Sequence, residues 1–411
     1  MTDQSDRRIN RRSVLAGGTA ALLPLTVKAD PLVVPDWSRV PGARLTPYGQ
    51  PSPREALTTR SVAPLFGDIA PGIEAAFTPL ERLEGVITPN GLHFARTHGG
   101  VPDIDPSQHR LLVHGKVGRN LTFSMEALAR YPLVTRTCFI ECSGNSFQHS
   151  LSQPRQMELG LTHGLFSTAE WTGVPLSILL EEAQIDPSAT WLLAEGADSD
   201  AMSRSLPVAK AVKDCFVALY QNGERLRPEQ GYPIRLIVPG WQGNLHIKWL
   251  RRLKAMDGPS HTRDETSRYS LLMSDGTARE FPFEMPVKSL IARPSYGQTL
   301  PGSGRYEISG LAWTGSGRID GVEISIDGGK SWVSTRLDAT PQEYIPVRFR
   351  YSWTWNGRPT ILQSRARDTQ GNLQPSHAQW KALYHPTQRF HCNAIQSWSI
   401  DEEGEIENVF L

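Results

Sequence analysis

A change of pattern near Phe281-Pro282 constrains this chain more than any other feature. Beyond it, β-prone runs at 289–293, 306–313, 321–325, 344–355 and 360–368 follow one another. Turn formers such as Asp327-Gly328-Gly329 and Asn356-Gly357 separate them. Short strands at even spacing with Gly-rich turns predict an immunoglobulin-like β-sandwich. Ahead of the change, strands at 110–116, 191–194, 215–220 and 233–238 alternate with helical stretches at 124–130, 175–183 and 206–213. Ser124 is placed to cap the first of these helices and Pro175 to open the second. The expected fold is therefore α+β, with a mixed α/β domain over 80–280 and a sandwich over 281–385. A chain of 411 residues exceeds what one core supports, which agrees with two domains. A Pro-rich extended arm at 30–79, with a helical turn at 54–59, is expected before them. An irregular tail at 386–411, acidic at 401–407, is expected after them.

The N-terminus carries its own message. Arg11-Arg12-Ser13-Val14-Leu15 precedes a weakly apolar stretch at 16–27, and Val27-Lys28-Ala29 offers a small-residue cleavage site before Asp30. The order of charged, apolar and cleavage regions is that of a signal peptide, and the Arg pair is of the twin-arginine type. Export to the periplasm is expected, with residues 1–29 removed. A net charge of +1 gives no field favouring nucleic acid, and no internal apolar run reaches membrane-spanning length. The four cysteines, Cys138, Cys142, Cys215 and Cys392, match no common zinc spacing, and no Cys-x-x-Cys-His is present to attach a c-type haem. In an oxidising compartment these thiols either pair or are protected by a metal.

One thiol stands apart. The apolar run 133–140 leads into Cys142-Ser143-Gly144-Asn145, which places a cysteine at a strand tip followed by turn formers. Such a thiolate can be a nucleophile, a redox thiol or a soft metal ligand; a lone cysteine is also often a plain core residue. Cys138 is expected to be one. Three further elements share a chemistry: Arg96-x-His98 on a loop, Arg235 within Tyr232-Pro233-Ile234-Arg235, and His246-Ile247-Lys248-Trp249. Together they supply the cations and turn amides that hold an anionic cofactor, beside a thiolate.

These residues resemble the sulfite oxidase family of molybdopterin enzymes. Thr137-x4-Cys142-Ser143-Gly144-Asn145 resembles its molybdenum-ligand motif, and Phe94-Ala95-Arg96-Thr97-His98 its first pterin-binding loop. Glu195-Gly196-Ala197-Asp198, Gly231-Tyr232-Pro233-Ile234-Arg235 and His246-Ile247-Lys248-Trp249-Leu250 are similar to its later pterin-contact segments. Pro286-Val287-Lys288-Ser289 resembles the start of its dimerisation domain. Gly310-Leu311-Ala312-Trp313-Thr314-Gly315-Ser316-Gly317-Arg318 and Ser325-Ile326-Asp327-Gly328-Gly329 are similar to segments within that domain. The likeness runs in chain order over residues 80–375. It implies a molybdenum–molybdopterin cofactor with Cys142 as the one protein thiolate on the metal. It implies pterin contacts from Phe94, Arg96, His98, Asp198, Arg235, His246 and Lys248. It also implies Tyr269 as the active-site tyrosine, Trp171 beside the substrate pocket, and Arg96 and Arg318 reaching the anion.

The departures bear on the substrate. Ser146-Phe147 stands where the family commonly has an Arg pair, Gln230 where a histidine is usual, and Leu245 where vertebrate members have an arginine. Fewer cations weaken capture of a small free dianion. The resemblance therefore points to the sulfane dehydrogenase branch, the molybdenum component of bacterial thiosulfate-oxidising (Sox) systems. That branch implies sulfane sulfur on a carrier protein as substrate, a separate c-type cytochrome subunit as electron acceptor, and a homodimer through the C-terminal domain. A dehydrogenase of free sulfite is the alternative within the family, a reductase a second, and a non-catalytic binding module a third.

Overall fold

The computed structural model describes residues 34–65 and 69–411, so the expected signal peptide lies outside the described residues. Contacts divide the chain after Glu55. In the first unit, residues 34–55 form two 3-10 turns, Asp36–Ser38 and Pro53–Glu55, and nearly all are exposed. The helical turn expected over 54–59 is thus shorter and earlier.

The second unit begins with a correction to the arm. Ser61–Pro64, Glu74–Phe77 and Ala95–Arg96 form an antiparallel three-stranded sheet, with Ala75 and Ala76 buried. Small residues with no alternation hid these strands, because the pairing itself provides the order. The sheet matters for the site, since its third strand carries Arg96.

Two five-stranded sheets follow. In one, Val134–Glu141 pairs with Phe166–Pro175, which pairs with Phe216–Gln221. Phe216–Gln221 then pairs with both Glu224–Arg225 and Arg235–Ile237. Asn222 and Gly223, both at positive φ, make the predicted hairpin turn. In the other, the order is Leu121–Ser124, Arg110–Gly115, Leu250–Met256, Trp191–Gly196 and Ser203–Pro207. Ser124 caps helix Met125–Leu128 through the amide of Ala127, and Pro175 stands at the N-cap of helix Leu176–Glu182. Leucines 176, 179 and 180 of that helix form one buried stripe in the core beneath the sheets.

The predicted strands beyond 281 are present as Lys288–Arg293, Gly304–Trp313, Ile319–Ser325, Val347–Trp355 and Thr360–Asp368. They fall into a four-stranded and a five-stranded sheet whose inner faces share one core, including Leu290, Ile308 and Phe349 from one and Ile324, Leu362 and Trp398 from the other. The irregular tail is a second correction. Ser397–Ile400 and Ile406–Val409 extend the five-stranded sheet, and Trp398 is fully buried. Burial of a side chain of that size is worth about 2–3 kcal/mol, enough to hold the chain end. The same core reaches across the pattern change at 281: Phe166 stacks on Trp313 with centroids 4.0 Å apart. Among the described residues no helix is long and apolar enough to cross a membrane.

Candidate active site

Strand Val134–Glu141 buries its last four residues and ends at Cys142. The amide of Asn145 donates to the Cys142 carbonyl at 2.9 Å and closes the turn, and the Cys142 amide donates to Leu165 at 2.9 Å. Gly243 presses on this turn. A Cβ there would sit 2.8 Å from the Glu141 carbonyl oxygen and 3.2 Å from the Cys142 Cα, so the segment 242–244 approaches only because the residue is glycine. Burial pushes the Cys142 thiol up and the Gly144 amide pulls it back.

Cys142 opens on a cavity with about 650 Å³ of atom-free space, its solvent-open part included. Phe94, Arg96, His98, Asp198, Arg235, His246, Lys248 and Tyr269 all line it. They come from five separate segments. Arg235 is 5% exposed and donates only to oxygens of neutral groups: the His246 carbonyl, and the carbonyl and side-chain oxygen of Gln230. Burial pulls its pKa down to about 9. Lys248 donates to the carbonyls of Arg96 and Glu229, both at 3.0 Å, and burial with Arg235 nearby lowers it to about 7. His98 meets the Tyr269 hydroxyl at 3.1 Å, and burial beside Arg96 lowers it to about 3. Burial raises Asp198 and Tyr269. Gln230, which replaces the usual histidine, donates to the Phe94 carbonyl at 2.9 Å and so ties the first loop to Arg235.

Three expected residues sit differently. Both ring nitrogens of His246 are used within the protein: Nδ1 accepts from the Val238 amide and Nε2 donates to the Trp241 carbonyl. Its ring fixes the 238–241 turn, and burial keeps it neutral. Trp171 is fully buried behind Arg235, whose guanidinium lies 5.5 Å from its ring centroid, and it does not line the cavity. Arg318 is exposed at the start of Ile319–Ser325, with its backbone held by Thr369, and does not line the cavity. The expectation that it reaches the anion is corrected, because the Gly315–Gly317 turn leaves it outside. Met202, Glu229 and Asn244 were missed. Arg204 and Gln242, close behind the lining, were missed too; nothing local marks them, since their contacts join segments far apart in sequence. All four cysteines are free, with Cys138, Cys215 and Cys392 buried.

The donor set fits a metal–pterin group. Among the described residues no three His, Cys, Asp or Glu side chains gather to hold a metal ion. A metal at Cys142 must therefore arrive with most of its ligands, as a dithiolene-bearing pterin supplies them. Arg96, Arg235 and Lys248 line the cavity and would hold its phosphate.

Comparison with known proteins agrees. Residues 98–263 match the oxidoreductase molybdopterin-binding domain, and residues 279–397 the Mo-co oxidoreductase dimerisation domain. Mitochondrial sulfite oxidase of Homo sapiens is 33% identical over 291 residues, 66% of this chain and 52% of that protein. The chain thus spans about half the length of that relative. Sulfite oxidase of Gallus gallus is 32% identical, covering 72% of this chain and 70% of the relative. A crystal structure of the sulfane dehydrogenase SoxCD from Paracoccus pantotrophus superposes with a TM-score of 0.90 at 39% identity, over 93% of this chain and 99% of that one.

Proposed function

The chain belongs to the sulfite oxidase family of molybdopterin oxidoreductases, and from that premise we propose that it oxidises sulfane sulfur carried on a partner protein's cysteine. When bound, the molybdenum–pterin group supplies two-electron oxygen-atom transfer chemistry. Each oxygen added to sulfur derives from one water and releases two protons and two electrons. The electrons pass to a separate c-type cytochrome. The reaction belongs in the periplasm, reached by the twin-arginine route, and the chain works as a homodimer through its immunoglobulin-like C-terminal sandwich.

The observation that carries this reading is the likeness to a sulfane dehydrogenase over nearly the whole of both chains. The Cys142 turn supports it. Ser146, at the site of a family arginine, points inward to Lys288 and His163. Phe147 lies under the guanidinium of Arg155, 5.4 Å from its ring centroid. Neither offers a charge to a small dianion. In this reading Cys142 holds the metal, Arg96, Arg235 and Lys248 hold the pterin and its phosphate, and His98 orients the Tyr269 hydroxyl. The second reading, dehydrogenation of free sulfite, draws on the sulfite oxidases among its relatives.

The test has two parts. Cys142→Ser is expected to lose molybdenum and activity, as read by metal analysis and assay; full activity would sink the assignment. Steady-state rates with carrier-bound sulfane sulfur are expected to exceed those with sulfite, and the reverse order favours the second reading.

A further inference from the structure

Arg204 lies on strand Ser203–Pro207 and is 0% exposed. A charge removed from water at that depth normally meets a carboxylate or a full set of acceptors. Arg204 forms no ion pair among the described residues, the buried carboxylates of Glu265 and Asp264 stabilising its charge only from a distance, and it lacks a full set of acceptors. Its Nη1 donates to the Asn244 side-chain oxygen at 2.6 Å, and its guanidinium lies 5.3 Å from the Tyr269 ring centroid. Its Nε and Nη2 have no partner. Gln242, also 0% exposed, repeats the pattern: its side-chain oxygen accepts from Asn244 at 2.9 Å and from His391 at 3.3 Å, while its Nε2 donates to nothing. Asn244 joins the two and reaches Ser143, the residue after Cys142, at 3.2 Å. Asn244 and Tyr269 both line the cavity. Unused buried donors thus lie behind the cavity lining, joined to it through Asn244 and Tyr269 and next to the Gly243 that presses on the Cys142 turn.

Donors of this kind call for an acceptor-only ligand with several oxygens. We propose that Arg204 and Gln242, linked by Asn244, form an oxyanion subsite that holds the oxygens of a tetrahedral sulfur oxyanion beside Cys142. The subsite provides from strand Ser203–Pro207 the cation that Ser146-Phe147 lacks. It rests on the proposed function for the identity of the anion: oxygens accumulate on one sulfur, and a sulfonate-like group grows where these donors wait. A free sulfur oxyanion has the same chemistry.

Sulfate binding by the oxidised, molybdenum-loaded protein tests this, measured by titration calorimetry with metal content and melting temperature recorded alongside. The native chain is expected to bind sulfate saturably. Arg204→Met, with metal content and melting temperature unchanged, is expected to weaken binding about tenfold or more, the scale of a lost charge-assisted hydrogen bond. Arg204→Lys is expected to restore part of it, since it returns the charge without the fork. Gln242→Glu is nearly isosteric, sets a carboxylate against the anion and carries the test if Arg204→Met misfolds or loses metal; it is expected to abolish binding. Unchanged affinity in either folded variant, or no sulfate binding by the native chain, overturns the subsite. Methanesulfonate binding more tightly than sulfate would assign it to a carrier-borne sulfonate, and more weakly to a free anion. Turnover is no part of this readout. A chain that oxidised no sulfur compound would sink the proposed function and leave the subsite standing.

Discussion

Behind the Cys142 turn, Lys288 donates to Glu141 at 3.0 Å, and both side chains are almost fully buried. In front of it, Arg235 and Lys248 face the cavity and form no ion pair among the described residues; their hydrogen bonds go to oxygens of neutral groups. The back is closed. Glu141 also accepts from Trp313 at 2.6 Å and from Asn145 at 2.9 Å, and Ser146 accepts from the same Lys288. The sandwich, through Lys288 and Trp313, thereby clamps the residues on both sides of the cysteine. The front is left charged and unmatched. Charges that are paired from within stabilise a fold; charges left without partners stabilise whatever anion arrives.

The sharpest way to break this comparison is Lys288→Met. It leaves Glu141 buried without its cation, and a loss of about 3–5 kcal/mol is expected in denaturant unfolding. Lys288→Met combined with Glu141→Gln is expected to recover a large part, because no buried charge is then stranded. A small loss in the single variant would show that the back is no more tightly matched than the front. Trp313→Phe comes next. It keeps the stacking on Phe166 and deletes one hydrogen bond to a buried carboxylate, so about 1.5–3 kcal/mol is expected in the same experiment.

The two faces also differ in how much the sequence revealed. The run 133–140 followed by Ser-Gly-Asn marked the end of a strand, and the cations of the front were visible because each sits in a short motif of its own. Strand periods and Gly-rich turns marked the sandwich up to residue 368. Its last two strands escaped because the acidic stretch 401–407 obscured the alternation of Ser397-Trp398-Ser399-Ile400. The back of the turn was not legible. Lys288 and Glu141 are 147 residues apart, and nothing local states that they meet. Arg204 and Gln242 escaped for the same reason. Trp171 was marked by the resemblance alone; the strand Phe166–Pro175 that carries it was not read from the sequence, and a motif does not say which of two buried faces looks into a cavity.

Lys248→Met is the change whose sign separates the faces. The lysine has a folded pKa of about 7, below its ordinary 10.5, since burial and Arg235 disfavour its charge. With the folded value below the unfolded one, the unfolded chain binds more protons between pH 7 and 10.5, and stability from this group rises with pH across that window. Below pH 7 the penalty is fully present. In the cofactor-free protein, Lys248→Met is therefore expected to flatten the rise in unfolding midpoint between pH 7 and 10. Part of the gain at pH 7 is offset by the two carbonyls left without their donor. In the loaded protein the same change is expected to lower pterin retention, as read by cofactor content after gel filtration. An unaltered pH slope would mean that Lys248 is already matched, and that the front of the turn is built like the back.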